Sequence, residues 1–248
     1  MRIDVVFGGA SLTTPEVSGR VVAVIDVLRA STSIAVALAN GARAVIPVDT
    51  PDEVVTRAKA LERTDVLLAG ERKMLPIPGF DLGNSPAQFT RAAVEGKTIL
   101  LTTTNGTPAI ANAAGARDVI IASYVNYTAV LTMLRTALRG GTDITLVCAG
   151  RERQFALEDA GCAGRYVANV SKRLIGVTMN DAAQTCTLVD RRFGDQIVKL
   201  FEASEHGRAL RDAGFGDDLT ACADIDSYSV IPLYQDRQIT KLGPDRER

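Results

Sequence analysis

Apolar residues fall along this chain in short runs of four or five, separated by alanine-rich stretches of helical period. The run Val21-Val22-Ala23-Val24-Ile25 leaves no polar position for a solvent-facing side, which is the pattern of a strand buried on both faces. On this basis strands are predicted over residues 3–7, 21–25, 44–48, 66–69, 98–102, 118–122 and 144–148. Helices are predicted over 33–40, 51–61, 86–94, 108–114, 127–138 and 157–174. The helix at 51 is the best marked, with Thr50 as N-cap, Pro51 at the first helical position and Asp52 and Glu53 in the first turn. Strand, loop and helix in repeated order predict an α/β fold of three layers, α/β/α, around a largely parallel sheet.

A single domain over residues 1–248 is expected, with two similar lobes (about 1–95 and 96–240) as its subdivision. The subdivision rests on an internal echo at an offset of 74 residues: Arg29-Ala-Ser-Thr-Ser through Gly41-Ala-Arg aligns with Thr103-Thr-Asn-Gly-Thr through Gly115-Ala-Arg. Convergence of β-loop-α-turn-β units on similar sequences explains the echo about as well. Residues 189–233 are richer in charge and glycine and show no clear period, and 241–248 read as a frayed tail.

Composition narrows the chemistry by exclusion. Hydrophobic residues make up 46% with no tryptophan, so the core is expected to be Ala, Val, Leu and Ile. A net charge of −1 gives no reason to expect nucleic acid or an anionic membrane as partner. No apolar run is long enough to span a bilayer, and Met1-Arg2-Ile3-Asp4-Val5 lacks a secretory apolar region. Cys148, Cys162, Cys186 and Cys222 form no C-x-x-C pair and read as reduced thiols of a cytoplasmic protein. With His206 alone, a multi-histidine metal site is excluded. The oligomeric state is not legible; a homodimer is the base-rate expectation.

The most informative stretch is 23–33. A buried strand ends in Asp26, Arg29 follows, and Ser31, Thr32 and Ser33 lead into a helix. Hydroxyls and free N–H groups at a helix start suit an anion, and a carboxylate beside them suits a divalent cation. Three further segments carry polar groups at strand ends. Thr102-Thr-Thr-Asn-Gly-Thr offers Thr104, Asn105, Gly106 and Thr107, with glycine allowing close backbone approach, although the same residues also make an ordinary turn. The Gly- and Pro-rich segment 70–86 offers Glu71, Arg72, Lys73, Asp81, Asn84 and Ser85, and its Asn84-Ser85-Pro86 end also reads as a helix cap. Segment 148–164 places Arg151 and Arg153 in a loop and Glu158 and Asp159 in a first helical turn, where one of the two acids serves the helix dipole. His206, in Ser204-Glu-His-Gly-Arg, offers a general acid, but a lone loop histidine is more often a surface residue, and it is left out of the expected set.

Taken together and in order, Asp26–Thr32, Gly70–Pro86, Thr103–Thr107 and Cys148–Gly161 resemble the 2-phosphosulfolactate phosphatase family over nearly the whole chain. The resemblance implies a magnesium-dependent hydrolase converting 2-phospho-3-sulfolactate into 3-sulfolactate and inorganic phosphate, a step toward coenzyme M in methanogens. The family also occurs in bacteria without an evident coenzyme M pathway, which leaves a related 2-phospho acid open as substrate. Asp26 is followed by Val-Leu-Arg and so opens no Asp-x-Asp nucleophile pair of the haloacid-dehalogenase kind.

For such a reaction the expected catalytic residues are Asp26, Arg29, Glu71 and Asp159, with Mg2+ on some of Asp26, Glu71 and Asp159. Arg29, Ser31, Thr32 and Thr104–Thr107 are expected to hold phosphoryl oxygens, with Asn84 and Ser85 also on the substrate. Arg72 and Arg151 are candidates for the sulfonate and carboxylate. Asp26 as a nucleophile forming an aspartyl-phosphate ranks second to metal ligation. The reading from a different class is a non-catalytic module that binds a small phosphorylated or sulfonated acid.

Overall fold

A computed structural model describes residues 1–9, 12–152 and 154–243, so Arg153 and the tail from 244 onward lie outside the described residues. In chain order the elements are β1 (Arg2–Phe7), α1 (Thr14–Val17), β2 (Val21–Ile25), α2 (Ala30–Ala39), β3 (Ala44–Pro47) and α3 (Pro51–Ala58). Then come β4 (Val66–Arg72), β5 (Leu75–Pro76), α4 (Arg91–Val94), β6 (Thr98–Thr102), α5 (Gly106–Asn112), β7 (Asp118–Ala122), α6 (Tyr127–Arg139), β8 (Ile144–Cys148) and α7 (Leu157–Val170). The chain finishes with β9 (Thr178–Met179), α8 (Asp181–Phe193), α9 (Ile197–Ala203), α10 (Glu205–Asp212), α11 (Gly216–Ala223), β10 (Pro232–Gln235) and β11 (Gln238–Lys241).

All strands join one sheet in the order β5-β4-β6-β3-β11-β10-β7-β2-β8-β1-β9. Two blocks, β4-β6-β3 and β7-β2-β8-β1-β9, are internally parallel. The C-terminal hairpin β10–β11 sits between them and pairs antiparallel with both β7 and β3. Three successive antiparallel pairings make the blocks run in opposite senses. Between β6 and β2 lie five steps, which at roughly 20–25° each accumulate a twist of roughly 100–125°. The loops that follow β2 and β6 meet, Gly106 lying against Asp26 and Ala30.

Both faces of the sheet are covered. Val21, Ala23 and Ile25 of β2 enter one core with α6, α7, α8 and the helices after them, while Val22 and Val24 enter another with α2 and α5. This is the period of two expected of a strand with helices on either side. A smaller cluster packs Val54 of α3 on Val66, Leu68 and Leu100. Helix α2 is buried from Ala30 to Leu38, which is why its sequence is apolar nearly all round.

The three-layer α/β/α expectation holds. The structure corrects several boundaries. Helix α2 begins at Ala30, three residues earlier than read, so the three hydroxyls lie inside it. The helix expected over 86–94 is instead a single 3₁₀ turn followed by α4, because Thr90 is extended and its side chain caps α4 at the Ala93 N–H. Thr50 caps α3 as read, accepting the Glu53 N–H.

Candidate active site

At the end of β2 the chain turns through Asp26, Val27, Leu28 and Arg29, with a cis Leu28–Arg29 peptide, and enters α2. The hydroxyls of the first helical turn lock this turn from inside. Ser31 Oγ accepts the Asp26 N–H at 2.9 Å and donates to the Val24 carbonyl at 3.3 Å. Thr32 Oγ1 donates to the Val27 carbonyl at 2.8 Å and lies 2.7 Å from Ser123 Oγ, and Ser33 Oγ donates to the Asn84 carbonyl at 2.8 Å. All three side chains are buried, so Ser31 and Thr32 shape the site through its backbone.

The loop between β6 and α5 is built in the same manner. Thr103 and Thr107 cap each other, each side-chain oxygen accepting the other's N–H at 3.0 and 3.1 Å. The Thr104 N–H donates to Glu71 Oε1 at 2.7 Å, and Asn105 Oδ1 accepts the Glu152 N–H at 2.9 Å. Gly106 is pressed against the first loop: a Cβ there would stand 2.5 Å from Ala30 Cβ and 2.7 Å from Asp26 Oδ2. The two loops paired by the sequence echo therefore touch at Gly106 and Asp26.

Asp26, Glu71 and Asp159 are all buried here, but they are differently engaged. Asp159 Oδ1 accepts the Val27 N–H and Oδ2 the Gly150 N–H, at 2.9 and 3.0 Å, tying the ends of β2 and β8 together. Glu71 Oε1 and Oε2 are likewise taken by the Thr104 and Met74 N–H groups. Asp26 alone has an oxygen to spare; its Oδ1 accepts the Ala30 N–H at 3.3 Å and Oδ2 faces Gly106. Burial pushes the Asp26 carboxyl up to about 6; Glu71 and Glu158 add to the rise, while His206 and the Ala30 N–H oppose it. Asp159 is raised well above the carboxylate range, first by burial and then by Glu158 and Asp26. Among the described residues no group of three or more His, Cys, Asp or Glu side chains is arranged to hold a metal ion.

Arg29 is held from three sides. Its Nη1 donates to Asp218 Oδ2 at 2.7 Å, its Nη2 to the Met74 carbonyl at 2.8 Å, and its guanidinium carbon lies 4.3 Å from the centre of the Phe215 ring. Ser85 Oγ donates to the other Asp218 oxygen at 2.6 Å. Met74 and Lys73 form the two-residue turn between β4 and β5, both with positive φ, a conformation side-chain-bearing residues rarely adopt. Glu71 on its N–H and Arg29 on its carbonyl fix Met74 there. Asn84 Oδ1 is buried with no hydrogen-bond partner among the described residues. Arg72 donates to carbonyls of Glu71 and Asp49 and to Thr102 Oγ1, whereas Arg151 pairs with Glu205 at 2.7 Å.

Four residues outside the expected set join this cluster. Glu158 is buried, with Oε1 3.1 Å from His206 Nδ1 and Oε2 without a partner among the described residues. Adjacent acids in a first helical turn left the choice between Glu158 and Asp159 open in the sequence, and the backbone contacts of Asp159 now separate them. His206 itself is half-buried on α10. Asp218 and Phe215 come from the stretch without legible period. A broad depression lined by Arg117, Asp118, Tyr228 and Tyr234 lies at the opposite end of β7 and is separate from these groups.

Residues 10–237 match the model of a family described as 2-phosphosulpholactate phosphatase. A relative from Symbiobacterium thermophilum, named "Probable 2-phosphosulfolactate phosphatase", is 42% identical over 92% of this chain and 96% of its own length. Relatives of the same name from Pseudothermotoga lettingae and Clostridium botulinum (strain Alaska E43 / Type E3) are 36% and 33% identical, each over 98% of this chain and 100% of their own length.

Proposed function

The chain belongs to the 2-phosphosulpholactate phosphatase family, and from that premise we propose that it is a phosphoric monoester hydrolase using Mg2+. Its substrate on this reading is 2-phospho-3-sulfolactate or a related 2-phospho acid, and its products 3-sulfolactate and inorganic phosphate. The observation that carries the reading is Asp26, a buried carboxylate at a strand end with Oδ2 free, crowded by Glu71 and Glu158.

Such crowding favours a divalent cation, because the Arg29 charge nearby is already matched by Asp218. The three-carboxylate set does not fit one: Glu71 and Asp159 are occupied by backbone N–H groups. A single protein carboxylate fits better, since Mg2+ commonly takes one or two carboxylates and completes its octahedron with water and substrate phosphate. Asp26 would hold it, and the ion would draw negative charge from the phosphoryl oxygens.

The protein's own groups then bind and orient. Asp218 and Phe215 keep the Arg29 fork in one plane, leaving its remaining N–H groups for phosphoryl oxygens. Glu71 and Asp159 hold the loops around Asp26 in register. Thr104 is exposed at the rim and Arg151 lies beside the Asp159 loop, where the far anionic groups of the substrate would reach them.

The test is phosphate release from 2-phospho-3-sulfolactate and 2-phospholactate with Mg2+ and with chelator. Release in Mg2+ that stops on chelation is expected. Binding of these acids with no release under either condition would make the protein a binding module instead.

A further inference from the structure

We propose that His206, held by Glu158, is the proton donor to the leaving oxygen of the substrate. The inference rests on the phosphatase reading above and adds to it a residue which that reading does not use.

Cleaving an alkyl phosphate expels a strongly basic alkoxide, so a donor at the leaving oxygen contributes about 10²–10⁴-fold. The occupied carboxylates cannot serve. Asp159 and Glu71 accept backbone N–H groups on both oxygens, and Asp26 is the carboxylate assigned above to the cation. His206 is differently placed. Its Nδ1 lies 3.1 Å from Glu158 Oε1, a contact that leaves the other ring nitrogen, Nε2, for a partner outside the pair. Glu158 is the neighbour of Asp159, which holds the Val27 N–H one residue beyond Asp26, so the ring stands close to the end of β2. The His206 charge is felt at Asp26, which agrees with that placement.

The surroundings fix the ring. Ser204 caps α10 by accepting the Gly207 N–H at 2.9 Å, and Glu205 pairs with Arg151 of the β8–α7 loop. Gly207 lets α10 close on the Phe201 carbonyl of α9, where any side chain would collide. A buried carboxylate on Nδ1 favours a proton there, and donation from Nε2 then comes from the imidazolium, which carries a proton on both nitrogens.

In the step itself the bond from phosphorus to the ester oxygen breaks, and that oxygen takes the proton from His206 Nε2. A new bond forms between phosphorus and a water oxygen, and the dihydrogen phosphate so formed gives up one proton to solvent. Uptake of one proton from solvent by His206 restores the starting state. The net change is one ester and one water to one alcohol and one hydrogen phosphate.

The experiment compares 2-phospholactate with 3,3,3-trifluoro-2-phospholactate, similar in shape but with a far less basic alkoxide. His206→Asn is expected to lower kcat on the first by about 10²–10³-fold and on the second by less than about ten-fold. Equal losses on both, or none on either, would overturn the proposal. Glu158→Gln, altering a positioning residue, should lower kcat on 2-phospholactate about ten-fold with KM unchanged. If the His206 variant fails to fold, the wild-type protein still decides. With a donor its kcat for the two esters stays within about ten-fold, and a preference for the fluorinated ester of about 10²-fold or more rules the donor out. Failure of the wild type to release phosphate from either ester would instead bring down the phosphatase reading itself.

Discussion

Gly106 and Asp26 meet across the site with no room between them: a Cβ on residue 106 would lie 2.7 Å from Asp26 Oδ2. The glycine's backbone angles are not in the positive-φ region, so space alone forbids a side chain there. Gly106→Ala is therefore expected to push the two loops apart, costing about 1–3 kcal/mol of stability. Because Asp26 is what it pushes against, kcat/KM should fall at least about ten-fold in a folded variant. Thermal unfolding and phosphate release measure the two effects separately.

Asp26 also sets a pH dependence. Its carboxyl is raised from 3.8 to about 6 in the folded protein, so the native state holds the proton more tightly than the unfolded chain. The resulting stabilisation is fully present below about pH 4 and is lost as pH rises through about 6, an effect on the order of 2–3 kcal/mol. Asn at this position cannot ionise and keeps an oxygen for the Ala30 N–H. Asp26→Asn should thus be more stable than wild type at about pH 7.5 and close to it at about pH 4, in urea denaturation with chelator present. The same variant should release no phosphate.

Arg29 and Asp218 form a buried ion pair, with side chains 2% and 5% exposed. Removing either partner strands the other charge, and Arg29→Ala is expected to cost about 3–5 kcal/mol. Arg29→Lys keeps the charge but loses the fork that reaches both Asp218 and the Met74 carbonyl, for a smaller cost of about 1–3 kcal/mol. A double-mutant cycle of Arg29→Lys with Asp218→Asn should show a coupling above about 1 kcal/mol. Additive losses would mean that the pair contributes nothing jointly.

Asp159 behaves in this fold as a clamp between two strand ends. Asp159→Asn leaves one acceptor where there were two and should destabilise by about 1–3 kcal/mol. The loss is expected to be the same with and without Mg2+ in chemical denaturation. A variant of wild-type stability that needs much more Mg2+ for activity would return Asp159 to the metal.

The architecture was legible because its strands are buried on both faces, which leaves continuous apolar runs such as 21–25 and 98–102 with little ambiguity. Thr50, Pro51 and the acids after them marked α3 for the same local reason. The site was legible only in part. Asp26, Arg29, Glu71, Asp159 and Gly106 do gather at the ends of β2, β4 and β6 with the start of α7, yet their roles depend on which backbone groups each side chain meets. Sequence spacing carries no record of that. The hydroxyls of α2 showed the same limit, since a serine aimed at a ligand and one aimed at the preceding turn are the same letter. Asp218 was hidden and His206 was set aside as a surface residue, because both arrive from short helices whose packing is set by distant partners, not by a period of their own.

The hairpin β10–β11 has a consequence for the order of events during synthesis. It supplies the rung that joins the two parallel blocks, and among the described strands it is the last to leave the ribosome. Until it does, β3 and β7 each present an unpaired edge, inviting contact with other chains. Before the hairpin is made, the blocks are two half-sheets tethered by α2 and α5, and its pairing with both zips them into one.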